Sequence, residues 1–152
     1  MKTVLPVVAL VAACTAMPAN ASDVVFTGTL VNSCVLNVAT PGLLAATTDG
    51  TTLSSENSGG VAAVLAVVAV GTAPTLSFTA PTLTTPTGFS GTPTTAIRYQ
   101  AASGGSRAYT SSASSITAGA LLDTLTINSR VQNAGGFISG TYTVRTTVTC
   151  QQ

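Results

Sequence analysis

Most of the chain consists of short runs in which apolar and hydroxyl side chains alternate, interrupted by glycine, proline, serine and asparagine. Thr and Val dominate these runs, and both are β-branched residues that favour pleated strands. No segment of useful length repeats its apolar positions with the period of a helix. The pattern predicts an all-β protein whose strands lie at residues 24–31, 34–38, 61–70, 75–79, 95–101, 121–129 and 141–150.

Two of these predicted strands differ in their patterning. Residues 61–70 are apolar at both parities, which predicts a strand in the middle of a sheet with both faces covered. Residues 141–150 alternate instead. Their inward set is Tyr142, Val144, Thr146, Val148 and Cys150, and their outward set is Thr141, Thr143, Arg145, Thr147 and Thr149. The number and length of the strands favour an immunoglobulin-like two-sheet sandwich with long connections at residues 47–58 and 81–93.

The N-terminal segment is typical of a secretory signal peptide. Lys2 precedes an apolar run over residues 4–13, and the segment ends on Ala19-Asn20-Ala21. The run is shorter than the roughly 20 apolar residues that span a bilayer. We therefore expect cleavage after Ala21 and export. The alternative is a lipoprotein cleavage box at Val11-Ala12-Ala13-Cys14, with Cys14 as the lipidated residue.

Charge and composition exclude several function classes. The 152 residues carry five Lys and Arg against four Asp and Glu, and there is no His. Nucleic acid and anionic membranes need a basic surface, so neither is an expected partner. Without His, and without carboxylates paired in sequence, the hydroxyls have no activating base. We expect no catalytic residue, metal, cofactor or small-molecule substrate, and so no enzyme.

Two cysteines, Cys34 and Cys150, remain after the predicted processing. In an oxidising compartment an even pair predicts one disulfide, and two free thiols are the alternative. This bridge would link the first and last parts of the domain. It is compatible both with a groove held open and with a sandwich that is already complete.

The stretch VVFTGTLVNSC, residues 24–34, places Val24, Phe26, Gly28, Leu30 and Asn32 on one side if it is extended. Fifteen extended residues, 24–38, reach about 50 Å at about 3.3 Å each. A compact domain of this size has a diameter under about 40 Å. The stretch must therefore bend near residues 32–33, or its first half must project beyond its own domain.

Two motifs resemble known families. Val-x-Phe-x-Gly-x-Leu-Val-Asn-x-Cys, residues 24–34, resembles the N-terminal extension of chaperone–usher pilins. Gly-Thr-Tyr-Thr-Val, residues 140–144, followed by alternation resembles the last strand of pilins and of spore coat protein U-like secreted domains. In those families an incomplete immunoglobulin-like sandwich is completed by a strand donated from the neighbouring subunit. The resemblance implies a signal peptide at 1–21, a donor extension at 22–33 and a pilin-type domain at 34–152.

The resemblance also implies roles for particular residues. The donor-strand interface would be Val24, Phe26, Gly28, Leu30 and Asn32, and the last strand would border the groove with Tyr142, Val144, Thr146 and Val148. Expected partners are copies of itself or related pilins, a periplasmic chaperone and an outer-membrane usher. The expected destination, by way of the periplasm, is an extracellular surface fibre that supports adhesion or biofilm formation.

Two other functions fit the sequence. The first is a self-complete secreted β-sandwich that binds carbohydrate or a surface, with Arg98, Tyr99, Arg107 and Tyr109 as its candidate site. The second is an outer-layer coat protein that does not exchange strands.

Overall fold

A computed structural model of the protein describes residues 25–152. The predicted signal peptide, the alternative lipidation site at Cys14 and the predicted donor residue Val24 lie outside this range. Within it the chain forms twelve strands: β1 (Ser33–Thr40), β2 (Ala45–Ala46), β3 (Thr52–Ser54), β4 (Ala63–Val70), β5 (Thr75–Phe78), β6 (Thr82–Thr84), β7 (Thr94–Ala101), β8 (Ser106–Thr110), β9 (Ser114–Thr117), β10 (Leu121–Gln132), β11 (Thr143–Arg145) and β12 (Val148–Gln151). The described residues include no helix of the length and hydropathy that crossing a membrane requires.

The strands form several antiparallel sheets. In the largest, β4 lies between β1 and β10, while the second half of β10 pairs with β7 on one edge and with β3 on the other. β8 extends this sheet beyond β7, and β2 extends it beyond β3. A second sheet has the order β12-β5-β9, and a short pair joins β11 to β6. The all-β prediction is confirmed.

The hydrophobic core combines side chains from both larger sheets, an arrangement consistent with a β-sandwich. Phe78 of β5 stacks on Tyr99 of β7 with ring centroids 4.1 Å apart. Alternate residues of the central strands, including Leu65 and Val67 of β4, pack against this pair. Tyr99 is buried, and its hydroxyl donates a hydrogen bond of 3.0 Å to Ser114 Oγ, as a buried phenol requires.

Several details of the sequence prediction are wrong. The β4 segment does lie in mid-sheet, but its second face is only partly covered: Val68 is exposed, while Val64 and Ala66 are half-buried. Residues 25–32 are not a strand, and residues 141–150 form two strands instead of one. The connections at 47–58 and 81–93 contain β3 and β6. The short strands escaped prediction because distant partners define them, and no local repeat marks them.

Cys34 of β1 and Cys150 of β12 are joined by the predicted disulfide, with 6.2 Å between their Cα atoms. Both residues are half-buried and pack against the core cluster. The bridge closes a loop with a sequence separation of 116 residues. In the chain-entropy model, a loop of that order stabilises the folded state by about 4–5 kcal/mol.

Asp123 is the buried charge of the large sheet. Its Oδ2 accepts hydrogen bonds from Gly119 N at 2.7 Å and Ser103 Oγ at 2.6 Å, and its Oδ1 accepts from Ser103 N and Thr124 N. Burial raises the pKa of Asp123, but these hydrogen bonds outweigh it and hold the pKa below its ordinary value. The carboxylate thus ties the connection before β10 to the turn after β7.

We expect Asp123→Asn to lower the free energy of unfolding at pH 7 by about 1–3 kcal/mol, because the amide group cannot accept the bonds that one carboxylate oxygen accepts. A lowered folded-state pKa stabilises above the unfolded value of about 3.9, and the effect is lost as pH falls through the folded value. Urea unfolding at pH 7 and at pH 3 should therefore show a smaller difference between variant and wild type at pH 3. An equal difference at both pH values would contradict this role.

Candidate functional site: an open groove between the first and last strands

Several strands have one edge without a strand partner among residues 25–152, and three of them lie beside one another. β1 pairs only with β4, β12 only with β5, and β11 only with β6. The free edges of β1 on one side and of β11 and β12 on the other face each other. An unpaired edge presents a row of backbone donors and acceptors that can pair with another strand.

A groove of about 540 Å³ lies between these edges. The predicted groove-bordering residues Tyr142, Val144, Thr146 and Val148 all line it. Sequence reasoning missed the opposite wall and the floor, which include Val38, Leu43, Leu65, Ile97 and Ile127. Leu43 carries no periodic signal because it follows the Pro41-Gly42 turn.

The apolar wall of the groove is left in water. Val38 is 63% exposed and Leu43 55%, although both line the groove beside the core. Leu43 is held there by a bridge to Val61, with hydrogen bonds of 2.8 and 2.9 Å between their backbones. Covering such side chains is favourable by about 25 cal/mol per Å² of apolar surface. Binding of an apolar segment in the groove would therefore lower the free energy by covering these side chains.

One polar group of the floor is also unsatisfied. Ser129 Oγ is buried and has no hydrogen-bond partner within the described part of the chain. Its neighbour Ser55 is satisfied, because Ser55 Oγ donates to Asn128 Oδ1 at 2.9 Å and accepts from Ser129 N at 3.0 Å. A buried unpartnered hydroxyl costs about 1–3 kcal/mol.

The last strands are positioned by a β-bulge. β11 pairs with β6 and β12 pairs with β5, but Arg145 is opposite Thr82 while Val148 is opposite Phe78. Two residues of the last strand thus face three residues, 79–81, of its partner. Thr79 fills the gap: its Oγ1 accepts from Thr147 N and its carbonyl accepts from Thr146 Oγ1, both at 2.9 Å. The alternation of residues 141–150 therefore continues through the break, with the predicted outward set exposed.

The open end of the groove, beside Leu43 and Tyr142, carries an aromatic cluster. Tyr142 packs edge-on against Phe89 and Phe137, with ring centroids 5.6 and 5.1 Å away, and donates from its hydroxyl to Ile138 O at 3.0 Å. Gly140 has φ of +148°, and the ring of Pro86 occupies the space where a Cβ would lie. The motif that precedes the last strand therefore needs glycine for both conformation and space.

The opposite end, the closed end, is tied shut. The Cys34–Cys150 disulfide joins the two walls there. Gln152 Nε2 donates to Thr72 O at 2.6 Å and to Val70 O at 3.2 Å, which fastens the C-terminus across the end of β4. Asn32 lies against Gly71, the residue that follows β4, and Gly71 has φ of +100°. The chain before β1 thus runs on beyond β4 and does not turn back along the groove.

The predicted donor residues that the structure describes lie outside both sheets. Residues 25–32 are exposed and belong to no strand. Phe26 is 92% exposed and Leu30 73%, and nothing lies within 4 Å of the Cβ position of Gly28. Of the two geometries that the sequence left open, the chain adopts the projecting one.

The structure keeps part of the alternative binding site together: Arg98, Tyr99 and Arg107 line one surface depression of about 650 Å³, whose lining does not include Tyr109. Tyr99 points into the core. Arg98, which precedes it in β7, and Arg107, its partner in β8, are both exposed. Arg98 forms an ion pair with Glu56, and Tyr109 donates to the same carboxylate at 2.5 Å beneath Arg130. Burial, followed by the hydrogen bond to Glu56, raises the pKa of Tyr109. The polar groups of Arg98, Tyr109 and Glu56 are thus occupied by one another.

Comparisons of the chain with protein-family models, with curated proteins and with solved structures found no match.

We expect Gly140→Ala to lower the free energy of unfolding by about 1–3 kcal/mol, because alanine is strained at this φ and its Cβ meets Pro86. Gly28→Ala is the matched control: the space around Gly28 is open, so the melting temperature should not change. Thermal unfolding of both variants provides the measurement. Equal melting temperatures for Gly140→Ala and wild type would refute the requirement for glycine.

Proposed function

We propose that this protein is a structural subunit of an extracellular pilus or surface fibre, and that its subunits polymerise by donor-strand complementation. Each copy is an immunoglobulin-like sandwich that lacks one strand, and the N-terminal extension of a neighbouring copy supplies it. A structural role of this kind requires no catalytic residue and no cofactor. Assembly of this kind follows export, with a periplasmic chaperone and an outer-membrane usher as the handling partners.

The observation that carries this proposal is the open groove between unpaired strand edges, in a chain that also exposes an unpaired apolar segment. A strand lying in the groove can hydrogen-bond to β1 on one side and to the last strands on the other. It would also cover Val38 and Leu43. Backbone pairing of this kind gives affinity, and side-chain pockets at alternate positions give specificity.

The dimensions of groove and extension agree. The last-strand wall runs over residues 142–148, which is about 20 Å at about 3.3 Å per residue. Residues 24–30 are equally long and carry Val24, Phe26, Gly28 and Leu30 at alternate positions. Those four side chains would point into the groove together, and Thr27 and Thr29 would point away. The small Gly28 suits a narrow point between the pockets for Phe26 and Leu30.

The surface chemistry favours assembly as well. Only nine of 152 residues are charged, so copies of this chain repel one another weakly. Exposed Phe26 and Leu30 in the same chain as an open apolar groove make a stable monomer unfavourable at high concentration.

We expect the mature protein to form fibres and a form beginning near Val31 to remain monomeric, because that form keeps the groove and loses the donor. Light scattering and electron microscopy of the two forms, before and after denaturation and refolding, give the comparison. If the shortened form assembles as well as the mature protein, the donor-strand role is wrong.

A single substitution separates donated from internal use of the extension. We expect Gly28→Leu to leave the monomer's melting temperature unchanged and to slow or stop fibre formation, since overpacking a formed groove costs about 1–3 kcal/mol. Thr29→Leu is the matched control because its side chain would point out of the groove. A monomer clearly destabilised by Gly28→Leu would contradict the assignment.

A further inference from the structure

The chain's own extension matches its own groove in pattern. A hairpin that reversed at residues 31–33 would use a three-residue loop, a common hairpin length. It would place Leu30 opposite Cys34 and Phe26 opposite Val38. Directly opposed residues of an antiparallel pair share one face, so Phe26 and Leu30 would enter the groove together with Val38. Nothing in the residue pattern prevents self-insertion.

If the groove were accessible to the chain's own extension, self-insertion would also outcompete binding of a second copy by mass action. A short linker gives an intramolecular partner an effective concentration in the millimolar range. At micromolar protein, the chain's own extension would then outcompete a second copy by about a thousandfold. A subunit that polymerises by strand exchange therefore needs a barrier against its own strand.

The closed end of the groove supplies such a barrier. A strand inserted between two others separates them by about 9.5 Å, twice the normal spacing of about 4.8 Å. The Cα atoms of Cys34 and Cys150 are 6.2 Å apart and covalently linked. The hairpin would have to pass Leu30 between these two residues. The hydrogen bonds of Gln152 to Val70 O and Thr72 O close the same end.

We propose that the Cys34–Cys150 disulfide excludes the chain's own extension from its groove and so reserves the groove for the extension of a second copy. Bridge and linker act together: residues 31–33 are too few to carry the extension around the bridge to the open end. This inference rests on the proposed function and adds a role for the disulfide beyond stability.

The test compares the exported chain with its Cys34→Ala/Cys150→Ala variant, each refolded as a monomer at low concentration. Hydrogen exchange of residues 25–31 reports self-insertion. Light scattering after concentration reports assembly, and a labelled synthetic peptide of sequence VVFTGTLV reports access to the groove. Exchange in β9, none of whose residues lines the groove, verifies that the variant is folded.

With the bridge present, we expect the extension of the monomer to exchange freely and the peptide to bind. Without it, we expect the extension to be protected at every protein concentration, and peptide capture and assembly to fall by at least about tenfold. Adding Phe26→Asp to the bridge-free variant should restore free exchange, because a charge is excluded from the apolar groove.

A second variant keeps both cysteines, in case the bridge-free chain does not fold. A Gly-Ser insertion of about 20 residues after Val31 has a root-mean-square reach of about 25 Å, enough for the extension to pass around the bridge. We expect this variant to protect its own extension and to lose assembly. An insertion variant that binds the peptide and still leaves its extension unprotected would overturn the inference.

The outcomes separate this inference from the proposed function. If the wild type neither binds the peptide nor assembles, both fail together. If it does both, and the folded bridge-free variant behaves identically, only the role of the disulfide is wrong. Protection of the extension in the wild-type monomer would likewise overturn it.

Discussion

The distance between two strand edges governs the architecture of this molecule. Strands pair at about 4.8 Å, and β1 and the last strands do not reach that spacing, even where the Cys34–Cys150 disulfide draws their Cα atoms to 6.2 Å. Away from the bridge the separation opens into the groove, with core residues such as Leu65 and Ile97 as its floor. Exposed apolar walls and free backbone edges follow from this gap.

The groove and the N-terminal extension are both left uncovered in the single chain. The groove leaves strand edges and apolar side chains uncovered, while residues 25–32 are an exposed segment that belongs to no sheet. Either feature alone would be a liability, since unpaired edges and exposed aromatics promote association without specificity. In the proposed assembly the extension of one copy covers the groove of another. In the same proposal, the disulfide at the closed end excludes the chain's own extension.

Local contacts hold the walls of the groove in place. The β-bulge at Thr79 lets the last strand change partners from β6 to β5 while its side chains keep their alternation. The contact between Gly140 and Pro86 and the aromatic cluster around Tyr142 hold the open end. These contacts hold in place a wall that has one free edge.

The sequence by itself determined what depends on neighbouring residues. β-branched alternation specified an all-β chain, and period-two parity specified which side of residues 141–150 faces inward, because a strand's side chains alternate whatever its partner is. Chain length against domain diameter limited residues 24–38 to bending or projecting. Only the tertiary structure decided between these two. It also showed that one face of β4 is only partly covered, that Tyr99 lies in the core, and that Leu43 and Ser129 line the groove. Each of those outcomes is set by contacts between residues far apart in the chain, and no local pattern encodes such contacts.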